Sequence, residues 1–275
     1  MTAARDVLHL VRLDLRVLRR SRWSWAAVAL GPAATIAIIL GALGSDPGME
    51  RQDAYRAGAA SLLLLGGLVV ALTLGATPVR AGIDSGRFGV LLGAGAGRAR
   101  LALGLVAGRG LALMGVLAIW LVGLQLGSLV IGEGLDGPLA VHVAAGYETL
   151  LISMLAALMA ATSVGPVAAW VFGLFVNVLA QAAVNLKAAA DAGALGTADA
   201  LASAFYFLWP RAVTSPMIAD LQARDAAGPA APQIDINGNI ITVPASEWDT
   251  IAWTLVWCGV IAWIVVVGIR RRGVR

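Results

Sequence analysis

The residues of this chain best suited to chemistry lie between positions 80 and 104, which read "RAGIDSGRFGVLLGAGAGRARLALG". Within them, "GAGAG" at 93–97 has the composition of a loop whose backbone could wrap a phosphate. A phosphate-cradling P-loop, however, needs GxxxxGK[ST], with a lysine that reaches the phosphates. The single lysine is Lys187, in "NLKAAA", so no P-loop can be written. The dinucleotide fingerprint GxGxxG needs a strand before it and a helix after it within a βαβ unit. Here "GAGAGR" stands between long apolar runs. It is therefore not a nucleotide site, and its glycines are expected to supply a flexible or tightly turning link.

Other reactive groups are sparse. There is no HExxH for zinc, no pair of intramembrane aspartates, and no histidine within an apolar run to activate a serine. His9 and His142 are far apart and lack cysteine or acidic companions at ligand spacing, so no metal site is expected from this chain alone. Cys258 is the only cysteine and reads as a small apolar residue. Asn177, Gln181 and Asn185 step by four and form one amide stripe. Two readings stand for it: hydrogen bonding between helices, or the lining of a substrate path at a subunit interface. "GLQLG" at 123–127 and the ridge Ser153, Ala157 and Ala161 read first as packing surfaces.

Composition fixes the solvent in which these groups must be placed. The chain has 275 residues, is 59% hydrophobic and 13% charged, and has a mean hydropathy of +0.83. Soluble domains carry about 25% charged residues. About 20 apolar helical residues cross a hydrocarbon core of about 30 Å, and six such runs are expected here, at about 24–43, 57–78, 110–131, 144–164, 165–187 and 250–269. The fourth and fifth form one apolar stretch, which must break at Gly165-Pro166 because a single helix would overshoot the bilayer. Gly31-Pro32 is expected to kink the first. The fold class is thus an all-α membrane protein with six transmembrane helices in one domain spanning 1–275. No acid is expected in mid-membrane, so proton or sodium coupling lacks an obvious carrier. Broken helices could still bind ions through backbone carbonyls.

Charge sets the expected orientation. Fifteen of the 20 basic residues fall on one side of these spans, namely those of 1–22, of the 80–109 loop and of the C-terminus. That side nets +12 and the other −8. This is the positive-inside pattern, which places both termini in the cytoplasm of a multi-pass inner (plasma) membrane protein. It also makes nucleic acid a poor partner for a chain of pI near 10. Residues 1–22 carry Leu8, Val11, Leu15 and Leu18 on one helical face, with arginines over much of the rest. An amphipathic helix lying on membrane lipid is expected; a signal peptide cleaved after "ALG" at 42–44 is the alternative. Residues 188–249 form a small extracytoplasmic segment before the last span. It contains the aromatic run Phe205, Tyr206, Phe207 and Trp209, and a hairpin signal at Asn237-Gly238.

In this setting the opening stretch resembles the coupling segment of ABC-2 type transporter permeases, the membrane subunits of ATP-driven exporters. Asp84, Gly86, Phe88, Leu91, Leu92, Ala94 or Ala96, Arg98 and Gly104 fall in the family's order. The family's usual proline is absent, and Leu105 stands where lysine is common, with Arg109 one turn later. A basic leader, six spans and a large outer segment before the last one match as well. "FYFLWPRAV" is similar to a stretch found before the last span in a subset of these permeases.

The resemblance implies that this chain is not an enzyme and holds no cofactor. ATP and Mg would be bound by a separate cytoplasmic ABC ATPase. Residues 84–92 would dock on that ATPase through Phe88, Leu91 and Leu92, with Arg80, Arg87, Arg98 and Arg100 meeting acidic residues or lipid phosphate. A second permease copy or paralogue is implied, and an extracytoplasmic protein could meet 188–249. Two other readings remain at this point: an ATP-independent carrier or channel, and a membrane scaffold that recruits an outer protein.

Overall fold

The computed structural model describes residues 3–44, 51–93, 97–132, 134–191, 193–212, 233–236, 239–242 and 247–271. The chain begins with α1 (Ala3–Arg20) and α2 (Arg22–Leu43), then α3 (Arg51–Ser61), which runs through a π-helical turn (Leu62–Gly66) into α4 (Gly67–Ala76). Two short helices follow, α5 (Pro78–Asp84) and α6 (Arg87–Gly93), and then the long α7 (Arg98–Val130), α8 (Gly137–Ala161) and α9 (Pro166–Asp191). A 3₁₀ turn (Gly196–Ala198) leads into α10 (Asp199–Leu208). Strands β1 (Gln233–Ile236) and β2 (Asn239–Thr242) pair antiparallel, Ile236 opposite Asn239, and α11 (Glu247–Arg271) closes the chain.

Among the described residues, six helical stretches are long and apolar enough to cross a membrane: Arg22–Leu43, Ala54–Ala76, Arg98–Val130, His142–Ala161, Pro166–Asp191 and Ala252–Ile269. These are the six expected spans. The apolar stretch of the fourth and fifth does break, α8 ending at Ala161 and α9 starting at Pro166, whose missing N–H is harmless at a helix start. The first span is one helix from Arg22 to Leu43 with Pro32 inside it. The third span begins well before the expected residue 110: α7 has 33 residues, about 50 Å at 1.5 Å per residue. That is longer than a hydrocarbon core is thick. The hairpin signal lies between two strands that do pair, although Asn237-Gly238 itself lies outside the described residues, as do 94–96 of the glycine run and 213–232 of the long segment before the last span.

Lipid tails are as apolar as leucine, so helices in a bilayer associate by close fit rather than by escape from water. Here the fit is made around α8. An added Cβ on Gly75 of α4 would sit on the Met154 carbonyl oxygen, and one on Gly173 of α9 would strike the Ser153 carbonyl and Ala157. Ser153, Ala157 and Ala161 are all buried, so the small-residue ridge read from the sequence is the surface on which α4 and α9 rest. Gly268 of α11 lies against Thr162, bringing the end of the last helix to the end of α8. The second expected packing motif is also used within the chain. Gly127 faces Tyr55, Thr35 and Ile39, and the Tyr55 hydroxyl donates to the Leu124 carbonyl at 2.5 Å. Gly31 gives room for the Trp120 indole, whose Nε1–H donates to the Ala27 carbonyl at 3.1 Å.

The end of the bundle where α7 stops is tied by polar contacts. The Asp136 carboxylate accepts from Arg56 Nε at 2.7 Å, and the Gln125 side chain donates to the Asp136 carbonyl at 2.6 Å while accepting its N–H at 2.8 Å.

Gly75→Ala is expected to destabilise the protein by about 1–3 kcal/mol, as overpacking of a tight core does. Gly259→Ala, at a position with open space around the Cβ, should leave the melting temperature unchanged. Thermal unfolding of both variants in one detergent checks the contrast.

Candidate functional site: the leader helix and the link between the second and third spans

The link is built from two short helices that a glycine turns into each other. Gly86 has φ +65°, a left-handed conformation that costs glycine little and other residues more, so α5 can stop at Asp84 and α6 begin at Arg87. Gly82 has no side chain where the Phe88 ring lies, which lets α6 fold back against α5. Phe88 is consequently buried. Gly97, in extended conformation, then hands the chain to α7.

The leader helix α1 lies along the first turns of α7. The Leu10 side chain covers Gly104, and Asp14 covers Gly108, so two glycines on α7 let the helices approach closely. Asp14 is only 1% exposed. Its Oδ2 is 2.8 Å from Arg109 Nε, and its Oδ1 accepts from Arg109 Nη2 at 3.2 Å. Arg87 Nη1 approaches the same Oδ1 at 3.6 Å. A second pair, Asp6 with Arg100 at 2.5 Å, holds α1 and α7 together nearer their starts.

One buried carboxylate thus joins three segments that are far apart in sequence: the leader, α6 and α7. Buried charge of this kind is costly to strand, because removing one partner leaves the other desolvated and unpaired. The cluster holds two arginines against one acid. It contains no nucleophile, and what it offers is a mechanical joint.

The sequence-predicted residues take the following places. Asp84 ends α5 and is exposed, as is Arg98 at the start of α7. Arg87 turns its guanidinium toward Asp14. Phe88 faces inward against Gly82, so its apolar surface is already used within the chain. Leu91 and Leu92 are half-buried. The apolar side chain that projects is Val90, 74% exposed, on the opposite side of α6 from Phe88. Sequence reasoning passed over Val90, although its offset of two residues from Phe88 on a helix was the available signal.

It also passed over Asp14, whose position among Leu10, Val11 and Leu18 on one helical face was legible. The docked face of α1 is Leu10, Val11 and Asp14, while Leu8, expected on the apolar face, is half-exposed, and Leu13 and Val17 also point outward.

The amide stripe divides. Asn177 is buried and donates to Ser153 Oγ at 2.9 Å, joining α9 to α8. Gln181 donates to Asn177 Oδ1 at 3.1 Å, and Ser153 Oγ donates back to the Thr149 carbonyl at 2.8 Å. Asn185 lies a turn further along and is exposed. Asn177 therefore does the work of interhelical hydrogen bonding, and Gln181 supports it from one turn along the same helix. One acid lies within a candidate span, toward the start of His142–Ala161. Glu148 lies near the middle of α8, 8% exposed, and its Oε2 has no hydrogen-bond partner among the described residues. Because α8 begins at Gly137, earlier than the expected residue 144, Glu148 lies within the helix rather than at its end.

Asp14→Ala should destabilise the protein by about 3–5 kcal/mol by leaving Arg109 buried and unpaired, and adding Arg109→Leu should restore part of that loss. Melting temperatures of the two single variants and the double variant measure the coupling. Compared with known proteins, the chain matches no protein-family model and no curated relative.

Proposed function

We propose that this chain is the membrane subunit of an ATP-driven transporter of the ABC-2 type, an exporter that works with a separate cytoplasmic ATPase and a second permease copy or paralogue. The observation that carries the reading is the Asp14 cluster: the segment with the family's residue order is tied to the leader helix and to a membrane-length helix through one buried carboxylate. Such a joint suits a device that receives force at α6 and passes it to the bundle.

In this reading the arginine-rich ends and the 80–109 segment face the cytoplasm of an inner (plasma) membrane. The leader lies at the lipid interface with Leu8, Leu13 and Val17 toward acyl chains and its arginines among headgroups. Residues 188–249 lie on the far side. Val90, with Leu91 and Leu92 beside it, forms the apolar contact with the ATPase, while Phe88 and Arg87 hold α6 in position from behind.

A second reading, a carrier that needs no ATPase, draws support from Glu148 alone, since a buried acid within a span is a natural proton or cation site. The two part experimentally. Chain purified from its native host should bring down a P-loop ATPase, and Val90→Asp should reduce that recovery at least tenfold without lowering the melting temperature. Undiminished recovery would count against the proposal. Proton-driven solute movement in liposomes containing this chain alone, abolished by Glu148→Gln, would favour the carrier.

A further inference from the structure

At the opposite end of the bundle from α6, the chain leaves α10 through Trp209-Pro210 and holds Arg211 in an aromatic box. The Arg211 guanidinium carbon lies 3.8 Å from the centre of the Tyr206 ring, 5.4 Å from that of Trp253 and 5.6 Å from that of Phe207. The box is rigidly built. Arg211 Nε donates to the Tyr206 carbonyl at 3.0 Å, and the Arg211 carbonyl accepts from Thr254 Oγ1 at 2.8 Å. The Ala212 N–H donates to the Ala180 carbonyl at 3.2 Å, and Trp253 Nε1 donates to the Trp209 carbonyl at 3.0 Å. The residue is therefore pinned to α9, α10 and α11 together.

Among the described residues the box holds no anion. Arg109 and Arg211 are both buried; Arg109 has Asp14, whereas among the described residues Arg211 has no carboxylate. Aromatic faces attract a cation but carry no net charge, so they do not replace a counter-ion. A guanidinium has five N–H donors in a planar fork that fits two phosphate oxygens at once, and here one donor is used by a backbone carbonyl.

The surroundings have the character of a membrane interface. Trp209, Trp253 and Trp257 cluster here, Trp209 and Trp257 with ring centres 6.3 Å apart, and tryptophans collect at the headgroup level of a bilayer. Leu201, Phe207 and Leu208, from the same helix and its end, are strongly exposed and offer a surface for acyl chains.

We infer that Arg211 and its aromatic box form a binding site for the phosphate of a membrane glycerophospholipid, with the acyl chains lying along Leu201, Phe207 and Leu208. The site requires only that the six helices lie in a bilayer, so it stands or falls independently of any ATPase.

The test uses the full chain in a neutral detergent, titrated with dihexanoyl-phosphatidylglycerol, with dihexanoylglycerol, and with inorganic phosphate at matched ionic strength. Saturable thermal stabilisation by phosphatidylglycerol alone is expected. Arg211→Gln should abolish it, and Arg211→Lys, which keeps the charge but loses the fork, should weaken the apparent affinity about tenfold. Equal stabilisation by dihexanoylglycerol would overturn the phosphate assignment. Equal stabilisation by inorganic phosphate would overturn the lipid assignment in favour of a free-anion site. No saturable effect, or full retention of the effect in Arg211→Gln, would overturn the site. Should Arg211→Gln fail to fold, the three-ligand contrast on the unaltered chain and on Arg211→Lys decides the matter.

Discussion

The structure depends on how closely backbones can approach α8. In hydrocarbon there is no water to drive apolar surfaces together, so helices gain from contact only where their surfaces fit. Gly75 and Gly173 let α4 and α9 reach the carbonyls of Met154 and Ser153, and Ala157 fills the space between them. With those three helices fixed, the Asn177–Ser153 hydrogen bond falls into place, and α11 is set by Gly268 on Thr162. The polar groups of the bundle are positioned by small residues that have no chemistry of their own.

Toward the two ends the mode of attachment changes from fit to charge. Asp14 with Arg109 and Arg87 marks one end, and Asp136 with Arg56 and Gln125 marks the other. Both acids are buried and both link segments distant in sequence. Charges in such settings are expensive unless paired, which makes the pairing selective: few alternative arrangements of α1 or α3 would satisfy it. The apolar middle therefore supplies cohesion, and the ends supply register.

The sequence was most informative where the bilayer restricts the choices. Length and hydropathy located all six apolar helices, and Gly165-Pro166 marked the break between α8 and α9 because a continuous helix would have been far too long. The Ser153–Ala157–Ala161 ridge was legible for the same reason, since only small residues permit close helix contact. Much less was visible in the candidate site. The pairing of Asp14 with Arg109 joins residues 95 apart, and no periodicity connects them. The direction in which α6 turns was equally hidden. Phe88 and Val90 differ little in hydropathy, and the decision between inward and outward came from the space beside Gly82. The start of α8 was also not legible, and Glu148 lies further inside its helix than a start at residue 144 implied.

The unusual length of α7 has a consequence of its own. Its 33 residues form one uninterrupted helix, clasped by the leader near its beginning and by Tyr55 and Asp136 near its finish. A helix bends only gently without a break in its backbone ladder, so α7 behaves as a stiff rod rather than as a hinge. A tilt of such a rod about a point along its length would move its two tips in opposite senses. The closely packed stretch around Trp120 is the natural fulcrum.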